Sequence, residues 1–161
     1  MRLKYAEDFY IRSLLNKVKI EEIMTSPAIS VNCEAHFRDV VKIFQERRVR
    51  HIPIVNKENE VVGIMSQRDL YKLQPPHKNE DGVWVYDMDV MDGFVLSNVM
   101  TANPFTLFAK STLAAAIGPM VRNKYGCIPI VDDKKSLCGI ITQYDILKIA
   151  FDILQEGQPN V

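Results

Sequence analysis

The sequence predicts an α+β fold in which two β-α-β-β-α units pack as a pseudo-twofold pair. Three observations carry that prediction. Residues 24–72 recur as residues 100–148 at a constant offset of 76 positions and without a gap. Each copy holds a helical region followed by two apolar runs of strand length with a polar stretch between them. Two copies are too few for a solenoid, so they must close a common core against each other.

The repeated identities concentrate in short blocks. Met24-Thr25 matches Met100-Thr101, Ile52-Pro53-Ile54-Val55 matches Ile128-Pro129-Ile130-Val131, and Gly63-Ile64 matches Gly139-Ile140. Gln67, Asp69 and Lys72 match Gln143, Asp145 and Lys148, while Ser66 and Thr142 keep a hydroxyl at one place. The predicted organisation is an amphipathic helix in 1–20, repeat one in 21–73, an acidic connection in 74–98, repeat two in 99–152 and a tail in 153–161.

Taken in chain order, Tyr10, Leu14 and Val18 stand four apart with Ile11 and Leu15 beside them, an amphipathic helix that packs on the module or on a second subunit. Residues 28–31 form a short strand, with Asn32 and Glu34 as residues able to start a helix. Phe37, Val40, Val41 and Phe44 then fall at i, i+3, i+4 and i+7, one apolar stripe facing the core. Residues 51–55 and 61–65 read as strands joined by a hairpin loop at 56–59. A second helix at 67–73 is stopped by Pro75-Pro76. In the second copy Pro119 falls inside the predicted first helix. A proline there removes an N–H and costs about 3 kcal/mol in a regular helix, so a kink or a shortened helix is expected.

The connection at 74–98 sets Lys78 against Glu80, Asp81, Asp87, Asp89 and Asp92, and reads as an insertion or a lid. Trp84 and Phe94 argue that part of it packs. Its Asp87-x-Asp89-x-x-Asp92-Gly93 run departs from a calcium loop, because the third carboxylate is one position late and Asn98 stands where a bidentate Glu is needed.

Composition narrows the function. The 161 residues are 47% hydrophobic and carry 20 basic and 20 acidic side chains, which leaves no general footprint for nucleic acid or anionic membrane. No stretch approaches the ~20 apolar residues of a membrane span, so no membrane insertion is expected. Cys33, Cys127 and Cys138 are odd in number and lack zinc spacing, which favours buried small hydrophobes in a reducing, cytoplasmic setting. No P-loop, HExxH, GxSxG or GxGxxG motif is present, so the sequence argues against an enzyme.

What recurs instead is a hydroxyl three residues before a carboxylate at a helix entrance, Ser66-Gln67-Arg68-Asp69 and Thr142-Gln143-Tyr144-Asp145. Such a pair can serve as a capping arrangement. A helix entrance also offers N–H groups to a phosphate, and a carboxylate can accept both hydroxyls of a ribose. Arg47, Arg48, Arg50 and His51 form the densest positive cluster, beside Ile52 and Pro53 that could flank an adenine.

The doubled pattern of Met-Thr, strand, amphipathic helix, x-Ile-Pro-Ile-Val, turn and Gly-Ile-x-(Ser/Thr)-x-x-Asp resembles a tandem cystathionine-β-synthase (CBS) domain, the Bateman module, over about residues 19–151. The resemblance implies a non-catalytic regulatory module with two clefts that take AMP, ADP, ATP or S-adenosylmethionine, often as a homodimer that signals to a partner protein. No cofactor is required. By position it implies ribose contacts from Asp69 and Asp145, with Ser66 and Thr142 near phosphate or ribose and phosphate contacts from Arg50 and His51. The second copy has Gly126 and Cys127 there, so its site is expected to be weaker or to prefer a nucleoside. The candidate ligand-binding residues are thus Arg50, His51, Ile52, Pro53, Ser66, Arg68 and Asp69, with Cys127, Ile128, Pro129, Thr142 and Asp145. Arg48 and Lys124 replace the family's frequent glycine at the end of the first helix. The alternative is a ligand-free structural or dimerisation domain in which both Ser/Thr-x-x-Asp motifs only cap helices.

Overall fold

The computed structural model describes residues 5–156 and divides the chain into two compact units. Unit 1 comprises Met1–Pro27 with Phe105–Val161, and unit 2 comprises Ala28–Pro104. Each unit therefore carries one copy of the repeat but takes its Met-Thr segment from the other copy.

In unit 2, β1 (Val31–Asn32) runs parallel to β2 (His51–Val55), which pairs antiparallel with β3 (Val61–Ser66). Asn32 does not start the helix: its Oδ1 accepts from Glu34 N–H at 2.9 Å in a turn, and α2 (Phe37–Glu46) begins after His36. The strand expected over 28–31 is in register only from Val31, where it meets Ile54. Phe37, Val40, Val41 and Phe44 are all buried, as the stripe predicts. β1 covers only Ile54 and Val55 of β2, so Pro53, which has no N–H, sits where that edge is unpaired. α3 (Gln67–Leu73) ends before Pro75-Pro76.

The connection then forms a small hairpin of β4 (His77–Lys78) and β5 (Trp84–Val85), followed by α4 (Met88–Asp92) and α5 (Leu96–Val99). Met91 and Leu96 join the core of unit 2, the ring centroids of Phe94 and Phe37 lie 5.6 Å apart, and Arg38 pairs with Asp92 at 3.0 Å. Trp84 corrects the expectation of packing: it is 62% exposed, with Lys78 Nζ 5.5 Å from its ring centroid. Asp87 caps α4 by accepting from Asp89 N–H and Val90 N–H. The sheet is closed by β6 (Thr101–Ala102) against β3, with Thr101 opposite Ile64.

Unit 1 repeats the plan with β7 (Leu107–Phe108), α6 (Leu113–Asn123), β8 (Cys127–Val131), β9 (Leu137–Thr142) and α7 (Gln143–Glu156). Its sheet is flanked by Thr25, whose N–H and carbonyl both bond Ile140, and Ser26 Oγ donates to Cys138 O at 2.8 Å. α1 (Tyr5–Lys17) belongs to this unit, where Leu15 and Val18 pack on the core while Ile11 is exposed. Residues 1–4, the start of the expected helix, lie outside the described residues, as do the last five of the expected tail, and α7 runs on to Glu156. Pro119 does not shorten its helix: α6 has 11 residues against 10 in α2. The preceding residue is Gly118, which lacks the Cβ that a proline ring crowds.

Of the cysteines, Cys127 is buried, whereas Cys33 and Cys138 are only half-buried, which corrects the uniform burial expected. Cys138 Sγ donates to Ile130 O across the β8–β9 pair.

Candidate functional site

The paired strands set the geometry. In unit 2, His51 at the start of β2 stands opposite Ser66 at the end of β3, and Gln67 N–H donates to Arg50 O at 2.9 Å. The entrance of α3 is thereby tied to the start of β2, so Arg50, His51, Ser66 and Asp69 gather at one end of the sheet. Unit 1 does the same with Cys127 opposite Thr142 and Gln143 N–H donating to Gly126 O at 3.1 Å.

Both carboxylates face back onto their own helix entrance. Asp69 Oδ2 accepts from Ser66 N–H at 2.9 Å and from Ser66 Oγ at 2.6 Å. Asp145 Oδ2 accepts from Thr142 N–H and Oγ1, each at 2.7 Å. The capping role is therefore real in both copies. They differ at the second oxygen: Lys72 Nζ lies 3.3 Å from Asp69 Oδ1, whereas Lys148 forms no ion pair with Asp145 among the described residues. Lys72 was visible only as a repeated identity. An Asp and a Lys at i and i+3 are neighbours on a helix, and that spacing is the signal that marks the pair.

Electrostatics divides the two sheet ends further. Burial lowers the His51 pKa, Arg50 and Arg68 lower it further, and Asp69 works against them. The ring is held toward its neutral form in a nest of cations. Partial burial tends to raise the Asp69 pKa, but the two bonds from Ser66 and the Lys72 ammonium outweigh it and leave the carboxyl below its ordinary value. In unit 1 the position of His51 is held by Cys127, whose thiol burial pushes up to about 12. It is an uncharged wall at neutral pH.

The structure places other candidates elsewhere. Ile52 and Ile128 are fully buried members of their units' cores, and Pro53 and Pro129 are buried beside them. Gln143, marked in the sequence only as a repeated identity, donates from Nε2 to Tyr125 O at 3.1 Å and braces the strand entry. Among the described residues no group of His, Cys, Asp or Glu has the arrangement of a metal site, and no helix is long and apolar enough to cross a membrane.

A doubled β-α-β-β-α unit with a hydroxyl–carboxylate pair at each second helix defines a tandem-repeat module. The CBS domain family model matches residues 20–75 and 96–152, and the chain belongs to that family. A homoserine O-acetyltransferase of Methanococcoides burtonii is 25% identical over 88% of this chain, which spans only 26% of that relative's length. A CBS domain-containing protein of Dictyostelium discoideum is 24% identical over 89% of this chain and is spanned almost completely, at 99%. Among solved structures, the CBS domain pair of protein MJ0100, in complex with 5′-methylthioadenosine and S-adenosyl-L-methionine, superposes with a TM-score of 0.67 at 21% identity, covering 83% of this chain and 99% of that one. CBSX2 of Arabidopsis thaliana in complex with AMP gives 0.68 at 21% identity, covering 84% and 98%. The two-repeat α+β architecture predicted from the sequence is that of these pairs.

Proposed function

We propose that the chain is a non-catalytic regulatory module that binds an adenosine-containing ligand, AMP, ADP, ATP or S-adenosylmethionine, and passes its binding state to a partner protein, as a cytoplasmic homodimer. The observation that carries the reading is the convergence of Arg50, His51 and Arg68 on the sheet end that also holds Ser66 and Asp69. Cations there suit phosphate, and a carboxylate at a helix entrance suits a ribose diol. The AMP, 5′-methylthioadenosine and S-adenosylmethionine complexes of similar CBS pairs support the ligand class. Ligand acts on a partner only through its difference in affinity between two states of the module.

The second reading, a ligand-free structural or dimerisation domain, is favoured by one observation: both oxygens of Asp69 already have partners in Ser66 and Lys72. Thermal unfolding against AMP, ADP, ATP, S-adenosylmethionine and NADH separates the two. A ligand at 100 times its Kd stabilises the native state by about 2.7 kcal/mol. A selective rise in midpoint that Arg50→Ala removes for phosphorylated ligands supports the regulatory module. No rise with any of them, in protein free of co-purified ligand, supports the structural domain. Arg50 is the better probe than Asp69, because removing Asp69 also removes a helix cap.

A further inference from the structure

The connection adds to unit 2 a surface that the repeat itself does not supply. It includes residues 76–95, which the family model leaves unmatched. α4 packs against α2, Met91 and Leu96 are buried in the core of unit 2, and the ring centroids of Tyr86 and of Tyr71 on α3 lie 6.4 Å apart. The base of the connection is thereby fixed on both helices of its unit. Its β4–β5 hairpin is braced as well. Asn79 N–H donates to Val83 O, Val83 N–H to Asn79 Oδ1 and Gly82 N–H to Asn79 O, each at 2.9 Å. Gly82 takes the left-handed φ of 77° that closes the turn.

This braced hairpin holds apolar side chains out in water. Val83 and Trp84 are 56% and 62% exposed. An indole buries about 150–250 Å² when it is covered, and tryptophan is enriched among the residues that dominate protein interfaces. Because its backbone is already held, little ordering remains to be done when a partner arrives. The charge beside it is one-sided: the connection carries Glu80, Asp81, Asp87, Asp89 and Asp92 against Lys78 alone, in a chain whose basic and acidic residues otherwise balance at 20 each. Glu80 and Asp81 sit in the turn of the same hairpin. Asp92 is engaged by Arg38 and Asp87 caps α4, whereas Glu80, Asp81 and Asp89 have no ion pair among the described residues. Lys78 Nζ already lies 5.5 Å from the Trp84 ring centroid, so the ring takes a cation, and with Lys78 in place most of the residue is still uncovered.

We infer that the β4–β5 hairpin is the surface on which the regulated protein docks, and that the segment docked there carries arginine and aliphatic side chains. The inference rests on the regulatory-module reading and names the partner's chemistry. Charge complementarity selects that occupant. Unpaired carboxylates beside an exposed indole repel phosphate, which sets nucleic acid and anionic lipid aside, and attract a cationic polypeptide. Arginine fits better than lysine, because a planar guanidinium stacks on the indole and forks onto a carboxylate. Val83 offers the apolar contact that an aliphatic neighbour of that arginine needs. The position of the surface suits an output: Tyr71, which meets Tyr86 of the connection, lies on α3 two residues after Asp69, so the docking surface and the candidate ligand site are held by one helix of seven residues.

Trp84 is the chain's one tryptophan, so its fluorescence reads this surface directly. The full chain is titrated with a synthetic peptide of alternating Arg and Leu, and binding is followed by Trp84 emission and by calorimetry. Saturable binding is expected, and none with a Glu-Leu peptide of equal length. By calorimetry, Trp84→Ala is expected to weaken it at least about 30-fold, the loss typical of a dominant interface residue, and Glu80→Lys/Asp81→Lys about 10-fold or more. All three side chains are exposed, so an unchanged thermal midpoint in both variants verifies the fold. No binding, binding that persists in Trp84→Ala, or equal binding of the Glu-Leu peptide overturns the inference. So does a fall in sedimentation mass on Trp84→Ala, which assigns the face to a second copy of this chain. The midpoint shift with AMP, ADP, ATP or S-adenosylmethionine, measured on the same protein, keeps the two readings apart. A shift without peptide binding overturns this surface alone, whereas peptide binding without a shift supports the surface and overturns only the ligand reading.

Discussion

Double-substitution cycles between Met24, Met100, Gly63 and Gly139 will report which sheet each Met-Thr segment completes. A Cβ added at Gly139 would come within 2.5 Å of Met24 Sδ, 3.1 Å of Met24 Cγ and 3.1 Å of the Thr25 carbonyl oxygen. Carbon atoms pack at about 3.5–4.0 Å, so something must move, and one of the obstacles is backbone. Overpacking of this kind costs about 1–3 kcal/mol, offset by about 0.4–1 kcal/mol from the stiffer unfolded chain. Gly139→Ala is therefore expected to destabilise by about 1–2 kcal/mol and to lower Tm by roughly 4 °C in a chain of this length. At Gly63 the nearest atoms all belong to the Met100 side chain, which can swing aside, so Gly63→Ala costs less. In a Met24→Ala background the new methyl group finds room, and the cost of Gly139→Ala falls by about 1 kcal/mol. Met100 and Gly63 couple in the same sense. The crossed pairs, Met24 with Gly63 and Met100 with Gly139, are expected to be additive within about 0.5 kcal/mol. Urea unfolding followed by circular dichroism measures all four cycles. Coupling in the crossed pairs, and none between Met24 and Gly139, would refute the exchange of segments.

Three further outcomes are expected. Arg48 and Lys124 follow their helices with φ of 52° and 57°, a conformation that costs a side chain about 1–2 kcal/mol, so Arg48→Gly and Lys124→Gly are each expected to raise stability by about 0.5–1 kcal/mol, while Arg47→Gly, at φ −101°, lowers it in the same urea assay. His51 has a native pKa below its ordinary 6.5, so the unfolded chain takes up the proton first and stability falls as pH drops below about 6.5; His51→Gln is expected to flatten that limb. Asp69 has a native pKa below its ordinary 3.8, so the stability it confers is present at neutral pH and is lost on acidification through the native value; Asp69→Asn is expected to be less stable at pH 7 and to show a shallower acid limb in thermal melts.

Much of the scaffold was legible because it depends on periodicity. The stripe of α2, the strands over 51–55 and 61–65 and the stop after Leu73 follow from spacing and from proline chemistry, and the structure has them there, with the second strand one residue longer, to Ser66. The partner of each Met-Thr segment was not legible. A two-residue pairing carries no period, and both candidate partners read Gly-Ile, so the sequence is equally compatible with Gly63-Ile64 and Gly139-Ile140. The connection hid its role for a related reason: Met91 and Leu96 are buried, yet they sit in short helices of five and four residues, too brief to show a stripe. At the candidate site the sequence marked the hydroxyl and carboxylate but not their division of labour. One Asp oxygen caps the helix in both copies, and among the described residues only Asp69 has a lysine on the other, a contact decided by side-chain placement and not by residue type.

The exchanged Met-Thr segments bear on how such a chain could have arisen. Thr25 bonds Ile140 in both directions, and Thr101 lies opposite Ile64, so neither sheet is complete within one contiguous copy of the repeat. A single copy cut at the repeat boundary keeps its own opening segment and loses the one that pairs with its sheet in the full chain. Two such molecules that lend these segments to each other restore the pairing of the full chain. Tandem duplication then converts an intermolecular exchange into one within a single chain, where the effective concentration of the lending segment is fixed by the linker and no longer by the amount of protein. The fragment that matches a folded unit is consequently Ala28–Pro104, a stretch that begins after one Met-Thr and ends after the other.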